Sequence, residues 1–432
     1  MANNITFDTE TDLPDRAVLV SLVTDSVKKK GINPEYSLHE LVQLAETAGV
    51  EVMDTISQNL AKPDPKFFIG KGKVEELRMA MEAVDATTAI FDHELSGAQV
   101  RHLEESLDVK IIDRTQLILD IFAQRANTRE GIIQVELAQL TYLLPRLSGH
   151  STNLSRLGGG IGTRGPGESK LEMDRRHIRN RVNDLKDQLE EITKHRTLYR
   201  ERRQKAGVFQ VALVGYTNAG KSTLLKELTD ADVYIQDQLF ATLDPTTRVL
   251  ELPTGKEVVI TDTVGFIQNL PHDLIAAFRA TLEEANEANL ILHVVDASSE
   301  MREDQMAVVQ SILVDLGASD KPQIVLYNKK DRCTPEQLEM LNTGEGHLTI
   351  SAFDEADLLA IRDAIQTILT GDTIIFRIPA DRGDLASLLY RVGEIVNQEF
   401  DGSDSLYEVI LHKDDYEKNG YLLQDYIEVS HT

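Results

Sequence analysis

The strongest chemical signal in the chain is the run Gly215, Tyr216, Thr217, Asn218, Ala219, Gly220, Lys221 and Ser222, with Thr223 behind it. Its spacing, GxxxxGKS, is that of a phosphate-binding loop when a strand precedes it and a helix follows. Gly215 and Gly220 would let the backbone wrap closely, so that successive N–H groups and a helix N-terminus face anionic oxygens. Lys221 would reach the β- and γ-phosphates, and the Ser222 hydroxyl would ligate Mg²⁺. Downstream, Asp262-Thr-Val-Gly265 offers a carboxylate for the Mg²⁺ shell and the Gly265 N–H for the γ-phosphate. Asn328-Lys329-Lys-Asp331 ends another apolar run. The Asp331 carboxylate can accept hydrogen bonds from N1 and the exocyclic amine of guanine, a donor pair that adenine lacks. Asn328 would tie that loop back to the phosphate loop, and Ser351-Ala352 would cover the base from the far side. Four such motifs in this order point to GTP rather than ATP.

The elements that must position these groups are legible around them. Residues 208–214 read as a strand and 222–229 as a helix, while 248–252, 257–260 and 324–327 read as further strands. Between the loop and Asp262 lies Phe240-Ala241-Thr242-Leu-Asp-Pro-Thr246-Thr247. One threonine here should complete the Mg²⁺ shell and sense the γ-phosphate. Thr242 is the choice because Thr246 and Thr247 sit nearer the strand, although spacing alone leaves all three open. The residues expected to carry catalysis are therefore Lys221, Thr242 and Gly265, and the metal set is Ser222, Thr242 and Asp262. The segments around Thr242 and after Gly265 would be two switches, ordered by triphosphate and released on hydrolysis.

At 432 residues the chain has room for several domains, and its apolar fraction of 41% is ordinary for a globular protein. No apolar run is long enough to span a bilayer. The N-terminus has neither the basic start nor the apolar core of a signal peptide. The single cysteine, Cys333, excludes an internal disulfide framework and fits a reducing cytoplasm. The expected location is cytoplasmic, with peripheral membrane contact left open, and the expected state is monomeric.

Net charge is −26, which argues against diffuse nucleic-acid binding. Yet residues 146–205 hold 15 Lys or Arg against 8 Asp or Glu, a basic island on an acidic protein. On either side of a glycine-rich stretch, apolar residues recur at spacings of 3 and 4: Ile133, Leu137, Leu140, Leu144 and Leu147, then Ile178, Val182, Leu185, Leu189 and Ile192. These are two heptad seams, and they predict an antiparallel helical hairpin. The connecting loop carries Arg156 and Arg164 among glycines and would sit at the tip, suited to RNA phosphates. A plain linker is the competing interpretation.

The whole reads as α/β. An N-terminal α/β domain is expected over 1–130, the hairpin over 131–206, a Ras-like P-loop domain over 207–371 and a small α/β unit over 372–432. In the first, 17–23, 50–53, 88–91 and 109–112 look like strands of a mostly parallel sheet. Residues 67–73, Phe-Phe-Ile-Gly-Lys-Gly-Lys, lack the full phosphate-loop spacing; they read as a helix-capping turn, with a second nucleotide site as the sharper alternative. In the last, 374–378 and 406–411 look like strands around a helix over 385–398.

With these pieces assembled the chain resembles the HflX family of ribosome-associated GTPases over most of its length. The carriers are residues 215–222, 240–248, 262–267 and 328–331 and, above all, the glycine-rich loop 158–169. The resemblance implies a GTP/GDP cycle and binding to the large ribosomal subunit, the tip loop entering near the peptidyl-transferase centre. It further implies splitting of stalled or idle ribosomes. Ribosome assembly shares the same motifs, and an ATP-dependent RNA-remodelling activity of the N-terminal domain is a rival. Where Ras-like enzymes place a water-orienting Gln, this chain has Phe266. Slow intrinsic hydrolysis is therefore expected, the missing group coming from a partner; Arg279 as an internal finger is the less favoured source.

Overall fold

The computed structural model describes residues 15–25, 33–147, 170–205, 208–229, 238–268, 284–341, 344–370, 373–411 and 420–428. The glycine-rich loop with Arg156 and Arg164, and Arg279, lie outside the described residues.

Strands β1 (Arg16–Thr24), β2 (Glu51–Leu60), β3 (Thr88–Phe91) and β4 (Lys110–Asp113) form a parallel sheet in the order β2-β1-β3-β4. β1 is a continuous apolar run because helices cover both its faces. Val18, Val20 and Leu22 pack into one cluster, and Ala17 and Leu19 into another. The helices are α1 (Pro34–Thr47), α2 (Lys71–Val84), α3 (Gly97–Leu107) and α4 (Arg114–Arg125). Their starts are chemically marked: Asn33 caps α1, a Ser96/Gln99 capping box opens α3, and Asp113 caps α4. The segment 67–73 is a tight turn into α2, its Gly70 N–H donating to Gln58 Oε1 at 2.9 Å.

Two long helices follow, α5 (Arg129–Arg146) and α6 (Lys170–Lys205). They pack along the predicted seam, with Ile133, Leu137 and Leu140 facing Val182, Leu185, Leu189 and Ile192. Arg181 clasps Glu136 across it with two hydrogen bonds of 2.6 and 2.7 Å. With 36 residues, α6 is about 54 Å long.

The second sheet runs β10-β9-β8-β5-β7-β6. It comprises β5 (Gln210–Gly215), β6 (Thr246–Glu251), β7 (Glu257–Asp262), β8 (Leu290–Asp296), β9 (Gln323–Asn328) and β10 (His347–Thr349). Only β6 is antiparallel to its neighbour. Helices α7 (Lys221–Thr229), α8 (Arg302–Asp315), α9 (Pro335–Glu339) and α10 (Glu355–Thr370) belong to this part of the chain.

The last unit is an antiparallel sheet of β11 (Thr373–Pro379), β12 (Gly393–Asp401) and β13 (Asp404–Leu411) with helix α11 (Gly383–Val392). Here the expected helix over 385–398 is corrected. Helix α11 stops at Val392, and 393–398 enter β12, because hairpin pairing with β13 supplies their backbone partners.

One buried cluster joins the first and second sheets. Leu117, Ile118, Ile121 and Phe122 of α4 share it with Leu239, Phe240, Leu243, Val264, Phe266 and Ile267. Phe122 meets Phe240 edge to face, with centroids 4.7 Å apart.

Candidate functional site

The run 215–222 leaves the carboxyl end of β5 and enters α7, the place where open α/β sheets hold ligands. Its glycines are required by close approach. A Cβ on Gly215 would lie 2.2 Å from the Val294 carbonyl oxygen, and one on Gly220 (φ +98°) 2.4 Å from Asn328 Nδ2. Asn218 adopts φ +59°, a conformation that Asn tolerates better than most residues. The loop is held from both sides: Thr217 N–H donates to the Phe266 carbonyl at 2.8 Å, and Phe266 N–H to the Gly215 carbonyl at 3.1 Å. Lys221 is buried, its ammonium donating to the Gly215 and Tyr216 carbonyls at 3.1 and 2.8 Å. Burial pulls its pKa down to about 8, Asp262 opposing and Lys329 adding to the shift.

Three oxygen-bearing side chains converge beside Lys221. Ser222 Oγ donates to Asp262 Oδ2 at 2.7 Å, Thr242 Oγ1 donates to the same oxygen at 2.9 Å, and the two hydroxyls are 3.0 Å apart. Thr247 instead pairs with Thr261 at 3.0 Å on the neighbouring strands, and Thr246 opens β6. Asp262 is fully buried, which pushes its carboxyl upward against Lys221 and the two hydroxyls. Its Oδ1 has no hydrogen-bond partner among the described residues. A buried carboxylate oxygen left unsatisfied beside two hydroxyls is a hard oxygen donor set, the kind Mg²⁺ takes together with waters and phosphate oxygens. Among the described residues no group of three or more His, Cys, Asp and Glu could hold a metal elsewhere. Gly265 closes this corner; a Cβ there would lie 2.9 Å from Thr217 Cα and 3.1 Å from Lys221 Nζ. Thr223 and Ala241 line the same small cavity.

The other end is cross-linked in the same way. Asn328 Nδ2 donates to the Ala219 carbonyl at 2.9 Å, and its Oδ1 accepts the Ala352 N–H at 3.1 Å. Lys329 reaches the Asn218 carbonyl and Asp296, both at 2.7 Å. Ser351 Oγ donates to Asp331 Oδ1 at 2.7 Å, and Ser351 N–H to Asp357 at 2.7 Å. The phosphate loop and the segments at Thr242, Asp262–Gly265, Asn328–Asp331 and Ser351–Ala352 therefore meet at the carboxyl end of the parallel strands. A larger cavity of about 570 Å³ lies between α3, α4 and α5, and none of those residues lines it.

Some of the surroundings had no signal in the sequence. The Tyr216 and Phe240 side chains turn away from the loop into the N-terminal part of the chain. Tyr216 OH donates to Glu40 and accepts the Gln268 N–H at 2.8 Å. Glu40 is paired with Arg114, which also reaches Asp92 Oδ1 at 2.8 Å and the Gln268 carbonyl at 3.3 Å. Phe266 is buried in the shared core, so its ring packs inward instead of lining the site.

Family models match along most of the chain: a GTP-binding GTPase N-terminal region over 35–123, a GTP-binding GTPase middle region over 125–203 and a 50S ribosome-binding GTPase over 210–329. The GTPase HflX of Caldanaerobacter subterraneus subsp. tengcongensis is 49% identical over 390 residues, 90% of this chain and 89% of that one. The GTPase HflX of Escherichia coli is 43% identical over 402 residues, 91% and 93% of the two chains. Among solved structures, a GTP-binding protein from Sulfolobus solfataricus in complex with GDP covers 82% of this chain and 98% of its own, at 23% identity and TM-score 0.43.

Proposed function

Because this chain belongs to the GTPase HflX family, we propose that it is a Mg²⁺-dependent enzyme that binds the large ribosomal subunit in its GTP state, splits stalled or idle ribosomes, and leaves on hydrolysis. The observation that carries the nucleotide part is the convergence of Ser222, Thr242 and the unsatisfied Asp262 carboxylate beside buried Lys221. Those three residues would hold Mg²⁺, which neutralises charge on the β- and γ-phosphate oxygens. The backbone N–H groups of the loop and the Lys221 ammonium bind the phosphates. Gly265 N–H and Thr242 sense the γ-phosphate, while Asp331, Asn328 and the Ser351–Ala352 turn select guanine. Water attacks the γ-phosphorus, the bond to the β,γ-bridging oxygen breaks, and GDP and phosphate result. The inward-packed ring of Phe266 cannot orient that water. We therefore assign its orientation to a group supplied by the ribosome.

The ribosomal part rests on the long basic arm and on the family model described as a ribosome-binding GTPase. Arg156 and Arg164 would meet rRNA phosphates, with the protein acting as a cytoplasmic monomer. No helix among the described residues is long and apolar enough to cross a membrane. The test is GTP turnover by the protein alone, with isolated large subunits and with small subunits, together with sedimentation of intact ribosomes. Stimulation of about tenfold or more by the large subunit only, with subunits separating under GTP, is expected. Equal turnover in all three would refute partner activation.

A further inference from the structure

The metal-site threonine is pinned from outside its own sheet. Thr242 lies in a short segment, 238–244, that is held along its length by residues from α4 to the start of α5. Arg125 donates to Gln238 Oε1, Phe122 packs edge to face on Phe240, and Asp244 closes the segment at the start of α5. The last contact is the most elaborate. Asp244 Oδ2 accepts the N–H groups of Asn127 and Thr128, both at 2.9 Å, and Asp244 Oδ1 accepts the Thr128 hydroxyl at 2.5 Å. That hydroxyl in turn caps α5 by accepting the Gly131 N–H at 3.0 Å. A residue two places after the threonine thus supplies an anion to the N-terminus of the first hairpin helix, where it also complements the helix dipole. The fit has no slack: a Cβ on Gly131 would stand 2.5 Å from Asp244 Oδ1.

We propose that Asp244, seated on Thr128 and Gly131, is a positioning residue for GTP hydrolysis: it fixes Thr242 beside Ser222 and Asp262 through the first turn of the hairpin helix. The carboxylate touches neither Lys221 nor the Ser222–Thr242–Asp262 group, so it acts only through the placement of Thr242. Because α5 is one arm of the hairpin, anything that moves that arm moves the threonine. This deepens the reading of Thr242 as a Mg²⁺ ligand and rests on it.

The variants Asp244→Ala, Gly131→Ala and their combination, with Thr242→Ala as reference, separate the possibilities. Steady-state GTP hydrolysis is measured across Mg²⁺ concentrations, and GDP affinity with a fluorescent GDP. Asp244→Ala should lower kcat by about tenfold and raise the Mg²⁺ needed for half-maximal rate, with GDP affinity unchanged within about twofold. Gly131→Ala gains helix propensity but crowds the capping carboxylate, so the fold of each variant is checked by urea denaturation. Gly131→Ala should give the same kinetic defect, by displacing the carboxylate. In the double variant the glycine change should add nothing, since the group it displaces is gone. Wild-type rates in both single variants, multiplying losses in the double variant, or GDP affinity falling in step with kcat would each overturn the proposal. If Thr242→Ala hydrolyses GTP like the wild type, the underlying metal assignment fails first, and the proposal with it.

Discussion

Asp113 and Asp262 occupy matching places in the two larger sheets, each the last residue of its strand and each nearly or fully buried. Their surroundings could hardly differ more. The Asp113 carboxylate accepts the N–H groups of Leu95 and Gln116 at 2.9 Å, the Tyr142 hydroxyl at 2.5 Å and Arg146 at 3.3 Å, so both its oxygens are used. At Asp262 two hydroxyls crowd one oxygen and the other oxygen has no partner among the described residues. Buried polar groups in folded proteins are almost always satisfied. A carboxylate completed by protein donors is a structural joint; the incomplete one is the residue we propose as a Mg²⁺ ligand. The same contrast extends outward. Asp92, just past β3, is closed off by Arg114 and by the Ser37 hydroxyl at 2.6 Å, and that closed network faces the phosphate loop through Glu40 and Tyr216. At the carboxyl ends of the first sheet Asp113 is fully satisfied by protein donors, whereas in the second sheet Asp262 Oδ1 has no partner among the described residues.

That difference can be broken from either side. The largest effect is expected on the closed side. Arg114→Met leaves Glu40 and Asp92 buried without their cation and should cost roughly 3–5 kcal/mol, read by urea denaturation. GDP affinity of the folded fraction should stay within about threefold, and a specific loss of nucleotide binding at unchanged stability would erase the distinction. On the open side, Asp331→Asn exchanges two acceptors for one donor and one acceptor. GTP affinity should fall by about 10- to 100-fold, with xanthosine triphosphate, which presents an acceptor where guanine has its amine, gaining in return. Competition binding with both nucleotides checks it. The smallest effect concerns Lys221. Its pKa, about 8 in the free loop, rises when phosphates sit against it, so binding takes up a proton above pH 8. From this group affinity is flat below that pH and falls above it by up to about tenfold per unit, measurable as GDP affinity between pH 7 and 9. A pH-independent affinity over that range would show that burial does not bring the free-loop ammonium into it.

What the sequence made legible were features whose chemistry is local. The phosphate loop, the Asp262–Gly265 and Asn328–Asp331 segments and the two heptad seams each carry their meaning within a few residues. Distance along the chain hid the rest. Glu40 and Arg114 are 74 positions apart and Tyr216 lies 176 beyond Glu40, so no local pattern could join them. Strand β2 is longer than the expected 50–53 because it pairs with β1 over its whole length as the edge strand of its sheet, a half-exposed sequence without an apolar run. Residues 393–398 read as helix because Ile395 and Val396 continue the apolar pattern of α11, and only the hairpin partner decides otherwise. Between Thr242, Thr246 and Thr247 spacing could not choose; the Thr242 hydroxyl meets Asp262, whereas the Thr247 hydroxyl meets Thr261, a pairing that only the folded sheet reveals.

We propose that all nucleotide turnover takes place at the loop of Lys221, at the carboxyl end of β5. Turnover of GTP and of ATP by the intact protein and by its Lys221→Ala variant tests this most directly. GTP turnover that ATP does not replace is expected, together with loss of all nucleotide turnover in the variant. ATP hydrolysis that survives in the Lys221→Ala protein would contradict it and move a second active site to the N-terminal sheet.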